Sequence, residues 1–68
     1  MSRFLEVTVL TNITGGGADE STLCINVDRI DSIKEDGPYR VIIAVNGHFY
    51  IIDDSYQSFI DKLRKLLK

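Results

Sequence analysis

Hydrophobic and polar residues alternate along the first stretch of the chain. In FLEVTVLT, residues 4–11, Leu5, Val7 and Val9 fall on one side and Phe4, Glu6, Thr8 and Leu10 on the other. A period of two is that of a half-buried strand. The same alternation returns in TLCINV, where Leu23, Ile25 and Val27 oppose Cys24 and Asn26, so a second strand is expected, antiparallel to the first. Between them, TNITGGGADES (Thr11 to Ser21) reads as a long hairpin connection, well beyond the roughly two to five residues usual for hairpins. Val27, Ile30 and Ile33 are then spaced by three, which fits a tight turn at Asp28 and Arg29 followed by a short strand near Asp31 to Lys34. Asp36-Gly37-Pro38 is a turn signal, because glycine accepts positive φ and proline disfavours helix just before it.

The runs YRVIIAV and HFYII flank Asn46-Gly47. Two apolar, β-branched runs separated by Asn-Gly predict a hairpin with a type I′ turn, whose two central residues both need positive φ. In the first run Tyr39, Val41, Ile43 and Val45 share one side and Arg40, Ile42 and Ala44 the other. Apolar residues on both sides suggest a central strand, or one covered on both faces. From DDSYQSFIDKLRKLLK onward the period changes: Phe59, Ile60, Leu63, Leu66 and Leu67 form a stripe at helical spacing. Asp54 or Ser55 is positioned to cap that helix, and Asp53 and Asp54 stand where its positive end favours acids.

The expected order is therefore β-β-(short β)-β-β-α. It describes a small α+β fold, an antiparallel sheet of four to five strands with one C-terminal amphipathic helix packed on it. Length and composition agree with this outline. Sixty-eight residues, 44% hydrophobic and 26% charged, make one small globular domain over residues 1–68. A domain of this size buries only about 60% of the surface its unfolded chain exposes. Self-association is a common way to enlarge such a core, and a homo-oligomer is expected. Cys24 is the single cysteine, so no internal disulfide can form. It reads as a small buried hydrophobe in a reducing compartment. No apolar run approaches the ~20 residues needed to span a bilayer, and the first residues enter strand alternation instead of a signal-peptide core. The expectation is a cytoplasmic protein without membrane insertion.

Charge adds a polarity along the chain. The formal net charge is -2, with Lys62, Arg64, Lys65 and Lys68 placing +4 at the C-terminal end and -6 on the remainder. Cations in the last turns of a helix complement its dipole. The overall acidity disfavours non-specific nucleic-acid binding, although aromatic and basic residues on one sheet face could stack bases.

Candidate chemistry is sparse. A phosphate cradle needs backbone N–H groups at a helix N-terminus, usually with a lysine. The glycine triplet Gly15, Gly16 and Gly17 is followed by Asp19, Glu20 and a strand, with no basic residue between Arg3 and Arg29. The segment reads instead as a flexible connection whose Gly15, Gly16, Gly17, Asp19 and Glu20 contact a partner. Asn12-Ile13-Thr14 matches a glycosylation triplet, without consequence in a cytoplasmic chain. Asp28, Asp31, Glu35 and Asp36 lack the spacing of a Ca²⁺ loop and read as solvated turn acids. His48, the only histidine, has no partner at a readable spacing and is expected to be an exposed strand residue. No catalytic, metal or cofactor residues are assigned, and no cofactor is expected.

The second half of the chain carries a resemblance. INVDRIDSI, a turn, and YRVIIAVNGHFYIIDDSYQSFIDKLRKLL resemble the small FlbD-type proteins of bacterial flagellar gene clusters and related short bacterial and phage proteins. The matching positions are Asn26, Asp28, Ile30, Ile33, Asn46, Gly47, Asp54, Ser55, Phe59 and Ile60. The first hairpin departs from that pattern, since the glycine segment stands where those proteins have a short turn. The resemblance implies no enzyme activity and no cofactor. Residues and resemblance together suggest a non-enzymatic, self-associating protein-interaction module, of flagellar or phage accessory type. Tyr39, Arg40, Ile42, Tyr50, Arg64 and Lys65 are its candidate contact residues. The alternative is a small nucleic-acid-binding regulator using the basic helix end and an aromatic sheet face.

Overall fold

The computed structural model describes residues 3–67. They form β1 (Phe4–Thr14), β2 (Gly17–Asn26), a 3-10 turn (Val27–Arg29), β3 (Ile30–Glu35), β4 (Val41–Val45), β5 (His48–Ile52) and α1 (Tyr56–Leu66). The five strands make one sheet in the order β2-β1-β5-β4-β3, and every neighbouring pair is antiparallel. The expected small α+β fold is present. It consists of a hairpin, β1–β2, and a three-stranded meander, β3–β4–β5, joined along β1 and β5.

That junction is short. Only Val9↔Ile52 and Leu10↔Ile51 pair across it, extended by the Asp53 N–H donating to the Thr8 carbonyl at 2.9 Å. A second connection comes from the helix. Phe59 and Leu63 are buried against Val7, Val9 and Ile25 of the hairpin and against Val41, Ile43 and Ile52 of the meander. One face of the sheet thus meets the helix. The other has no layer over it among the described residues.

The termini of α1 are set by local chemistry. The Ser55 hydroxyl accepts from the Ser58 N–H at 3.2 Å, and the Asp54 carboxylate accepts from the Ser55 N–H at 2.9 Å. These contacts satisfy donors that a helix start leaves unpaired. Lys62 Nζ reaches back to Asp54 at 2.9 Å, tying the second half of the helix to its cap. Arg64 and Lys65 lie in the last turn, as the helix dipole favours. Lys68 lies outside the described residues, and Leu67, counted in the apolar stripe, is 52% exposed at the C-cap.

The turn between β4 and β5 follows its sequence. Asn46 and Gly47 have φ of 52° and 83°, the two positive values that a type I′ turn requires. The first hairpin corrects the sequence expectation. Thr11 to Ser21 is not a long connection, because β1 runs to Thr14 and β2 starts at Gly17, leaving only Gly15 and Gly16 as the turn. Threonine and isoleucine favour extended backbone, and Asn12, at φ 51°, accepts the left-handed conformation better than most residues. The ladder shifts register between Thr11 and Thr14 and then closes with Thr14↔Gly17. The Asn12 amide donates to Asp19 Oδ2 at 2.9 Å, and Thr14 Oγ1 accepts from the Gly16 N–H at 3.3 Å. Gly17, Asp19 and Glu20, expected in a loop, are therefore strand residues.

Two further expectations change, and the tight turn at Asp28 and Arg29 is present. Cys24 is exposed, not buried, because its register partner Glu6 faces away from the helix with it. Tyr39 precedes β4 and is 76% exposed. Asp28 and Arg29 sit in a 3-10 turn that Asn26 caps by accepting from the Asp28 N–H at 3.0 Å.

Candidate functional site

Directly opposed residues of an antiparallel ladder point to the same side of the sheet, so the registers assign each residue to a face. On the uncovered face one row crosses all five strands: Glu20, Leu10, Ile51, Ile42 and Lys34. Its centre is aliphatic and its ends carry opposite charges. In the adjoining row Phe49 opposes Ala44, which in turn opposes Ser32. Phe49 is 74% exposed. Phe4, at the far end of β1 on the same face, is also exposed. Isolated apolar side chains on a surface are ordinary, whereas a contiguous patch marks a contact site; here Leu10 and Ala44 are buried, Ile42 and Ile51 half-buried, and Phe49 stands out from them.

Toward the β3–β4 turn this face becomes a groove. The carboxylates of Glu20, Asp36 and Asp53 share it with the Arg40 guanidinium, while Leu10, Pro38 and Tyr39 supply apolar walls. The Asp36 N–H donates to the Arg40 carbonyl at 3.0 Å, which closes the turn and holds Pro38 and Tyr39 beside the sheet. A second cleft opens where β1 and β5 part beyond Leu10 and Ile51, with Thr11, Phe49 and Tyr50 along it.

The contact residues expected from sequence divide between two layers. Arg40 and Ile42 belong to the uncovered face and Tyr39 to its rim. Tyr50 opposes Ile43 on the helix side and packs against the core. Arg64 and Lys65 are exposed on α1, Arg64 lying 4.0 Å from Asp61. The basic helix end and the exposed aromatics of the uncovered sheet face are therefore not parts of one surface. The residues that sequence reasoning missed are Phe49, Ile51 and Leu10. A signal existed in HFYII, whose alternate positions Phe49 and Ile51 are as apolar as Tyr50 and Ile52 opposite them.

Reactive groups do not gather around this patch. Among the described residues, no three His, Cys, Asp or Glu side chains converge to hold a metal ion. His48 is exposed. Asp31 accepts from the Gly47 N–H at 3.3 Å, and Asp28 lies 3.7 Å from Arg3. The carboxyl with a shifted pKa is Asp54, 15% exposed. Burial alone would raise it, but the Lys62 ammonium, the Ser58 hydroxyl and the Ser55 N–H together hold it below its ordinary value. Its surroundings explain it as a helix cap. Among the described residues, no helix is long and apolar enough to cross a membrane.

The positions that carry the FlbD-type resemblance hold structural posts here. Asn26 caps the 3-10 turn, Asn46 and Gly47 make the hairpin turn, Ser55 caps α1 and Phe59 is fully buried. No family model matches the chain, and neither a curated protein nor a solved structure matches it.

Proposed function

We propose that this chain is a non-enzymatic protein-interaction module that associates with itself in the cytoplasm and serves a larger assembly. The observation that carries this reading is the uncovered sheet face. Half-buried Ile51 and Ile42, with Phe49 at 74% exposure, surround the buried Leu10 on this face and offer apolar surface that the single described helix does not cover. Strand edges and such patches are the common docking elements of small β-rich modules. The FlbD-type resemblance points the same way, since it implies neither activity nor cofactor.

Multi-angle light scattering over a concentration series tests the self-association. The expected result is a mass above that of the monomer, rising with concentration. A strict monomer at several hundred micromolar overturns it.

A further inference from the structure

The sheet ends in two edges of different character. β3 is six residues long, its ladder slips between Ile30 and Ser32, and it carries Lys34. A short length, a bulge and a lysine are the usual devices that discourage an edge from pairing with another chain. β2 is less protected, its register shift and its two acids, Asp19 and Glu20, being confined to its start. It runs for ten residues without lysine or proline, and its ladder with β1 is unbroken from Phe4↔Asn26 to Thr11↔Asp19.

Charge is also distributed along β2 in a directed way. Asp19 and Glu20 stand near its start. Arg29 follows its end, where Arg3 also lies, 3.7 Å from Asp28. Among the described residues, Arg29 has no carboxylate within ion-pair distance. Antiparallel pairing of two such strands brings each acidic start to the other's basic end.

We infer that β2 is the edge through which two copies of this chain pair, antiparallel about a two-fold axis at Leu23, into one continuous ten-stranded sheet with both helices on the same side. This rests on the self-association proposed above and assigns the pairing itself to the sheet edge that adjoins the uncovered face. A two-fold axis through an antiparallel ladder sets one residue opposite its own copy, and the side chains select which. Centred on Leu23, Thr22 opposes Cys24 of the second copy, Ser21 opposes Ile25, and Glu20 opposes Asn26. The two half-buried Leu23 side chains meet on the helix side and extend the apolar layer across the junction. Centred on Thr22, Asp19 would instead oppose Ile25. Centred on Cys24, only Thr22–Asn26 would pair with its copy, because Glu20 would fall opposite Asp28 in the 3-10 turn beyond the strand.

Cysteine cross-linking of the full chain reads this register. Thr22 is exposed, so Thr22→Cys keeps the fold and places a thiol opposite the native Cys24 of the second copy, within disulfide reach across a strand pair. Mild oxidation is expected to convert Thr22→Cys to a covalent dimer that thiol reduces. The native chain and the Thr22→Cys, Cys24→Ser double variant are expected to stay uncoupled. Leu23→Lys, which places a charge at the centre of the junction, is expected to return the light-scattering mass to the monomer with the circular dichroism spectrum retained. A native dimer that Thr22→Cys does not link, or a double variant that links as readily, overturns the β2 register while self-association stands. A native monomer overturns both.

Discussion

Gly47 and Asp54 show how single residues carry local structure in this chain. Gly47, at φ 83° with open space where a Cβ would be, is held by its backbone conformation and not by crowding. Alanine there must adopt a left-handed conformation, which costs about 1–2 kcal/mol. Gly15 lies in the other hairpin turn with open space around it and no positive φ. Urea unfolding is therefore expected to place Gly47→Ala lower by about that amount and Gly15→Ala close to the native midpoint. Asp54 links the helix start to pH. Its carboxyl titrates below the ordinary value of 3.8, so the folded state favours the ionised form. The resulting stability is fully present above the unfolded value and is lost as pH falls through the folded one. Asp54→Asn removes that linkage. The stability difference between native and variant chains is expected to be constant near neutrality and to shrink below about pH 4, as measured by urea midpoints across an acid series.

Among the elements, the helix and the β1–β5 seam share one task. The seam contributes two ladder pairs, too few for the hairpin and the meander to remain joined by backbone bonds alone. Phe59, fully buried, and Leu63 fill the space above both units. Truncating a buried phenylalanine costs about 3–5 kcal/mol. That is comparable to the whole stability expected of a chain this small, roughly 0.05–0.15 kcal/mol per residue. Phe59→Ala is thus expected to abolish the cooperative unfolding transition, or to move it below room temperature, in a thermal melt. Retention of a sharp transition near the native temperature would mean that the strands cohere without the helix. The importance of Phe59 is legible in sequence, since the helical stripe passes through it. The weakness of the seam is not, because it depends on which strands become neighbours.

For the whole molecule, the consequence is a sheet sealed on one side and open on the other. Phe49 is largely solvated, so replacing it changes the surface and not the interior. Phe49→Ser is expected to leave the urea midpoint within about 0.5 kcal/mol of native while reducing attraction between molecules, read as a more positive osmotic second virial coefficient. A large loss of stability would instead assign Phe49 a role in the core. The comparison with Phe59→Ala separates surface from interior on residues of the same type.

Local features of this protein were determined by its sequence. Asn46-Gly47 specifies its turn, Ser55 its helix cap, and the change of period after Ile52 the start of a different element, each through chemistry reaching only a few residues. The tertiary structure decided what local chemistry cannot. Alternation sorts residues onto two sides of a strand, but pairing partners decide which side meets the helix. Pairing with β1 therefore leaves Cys24 outside, and pairing with β4 and β1 turns Phe49 and Ile51 outward. The glycine segment illustrates the same division. Its composition announces a turn, yet its length shrinks to Gly15 and Gly16 only because β1 and β2 find each other and extend their ladder almost to the tip.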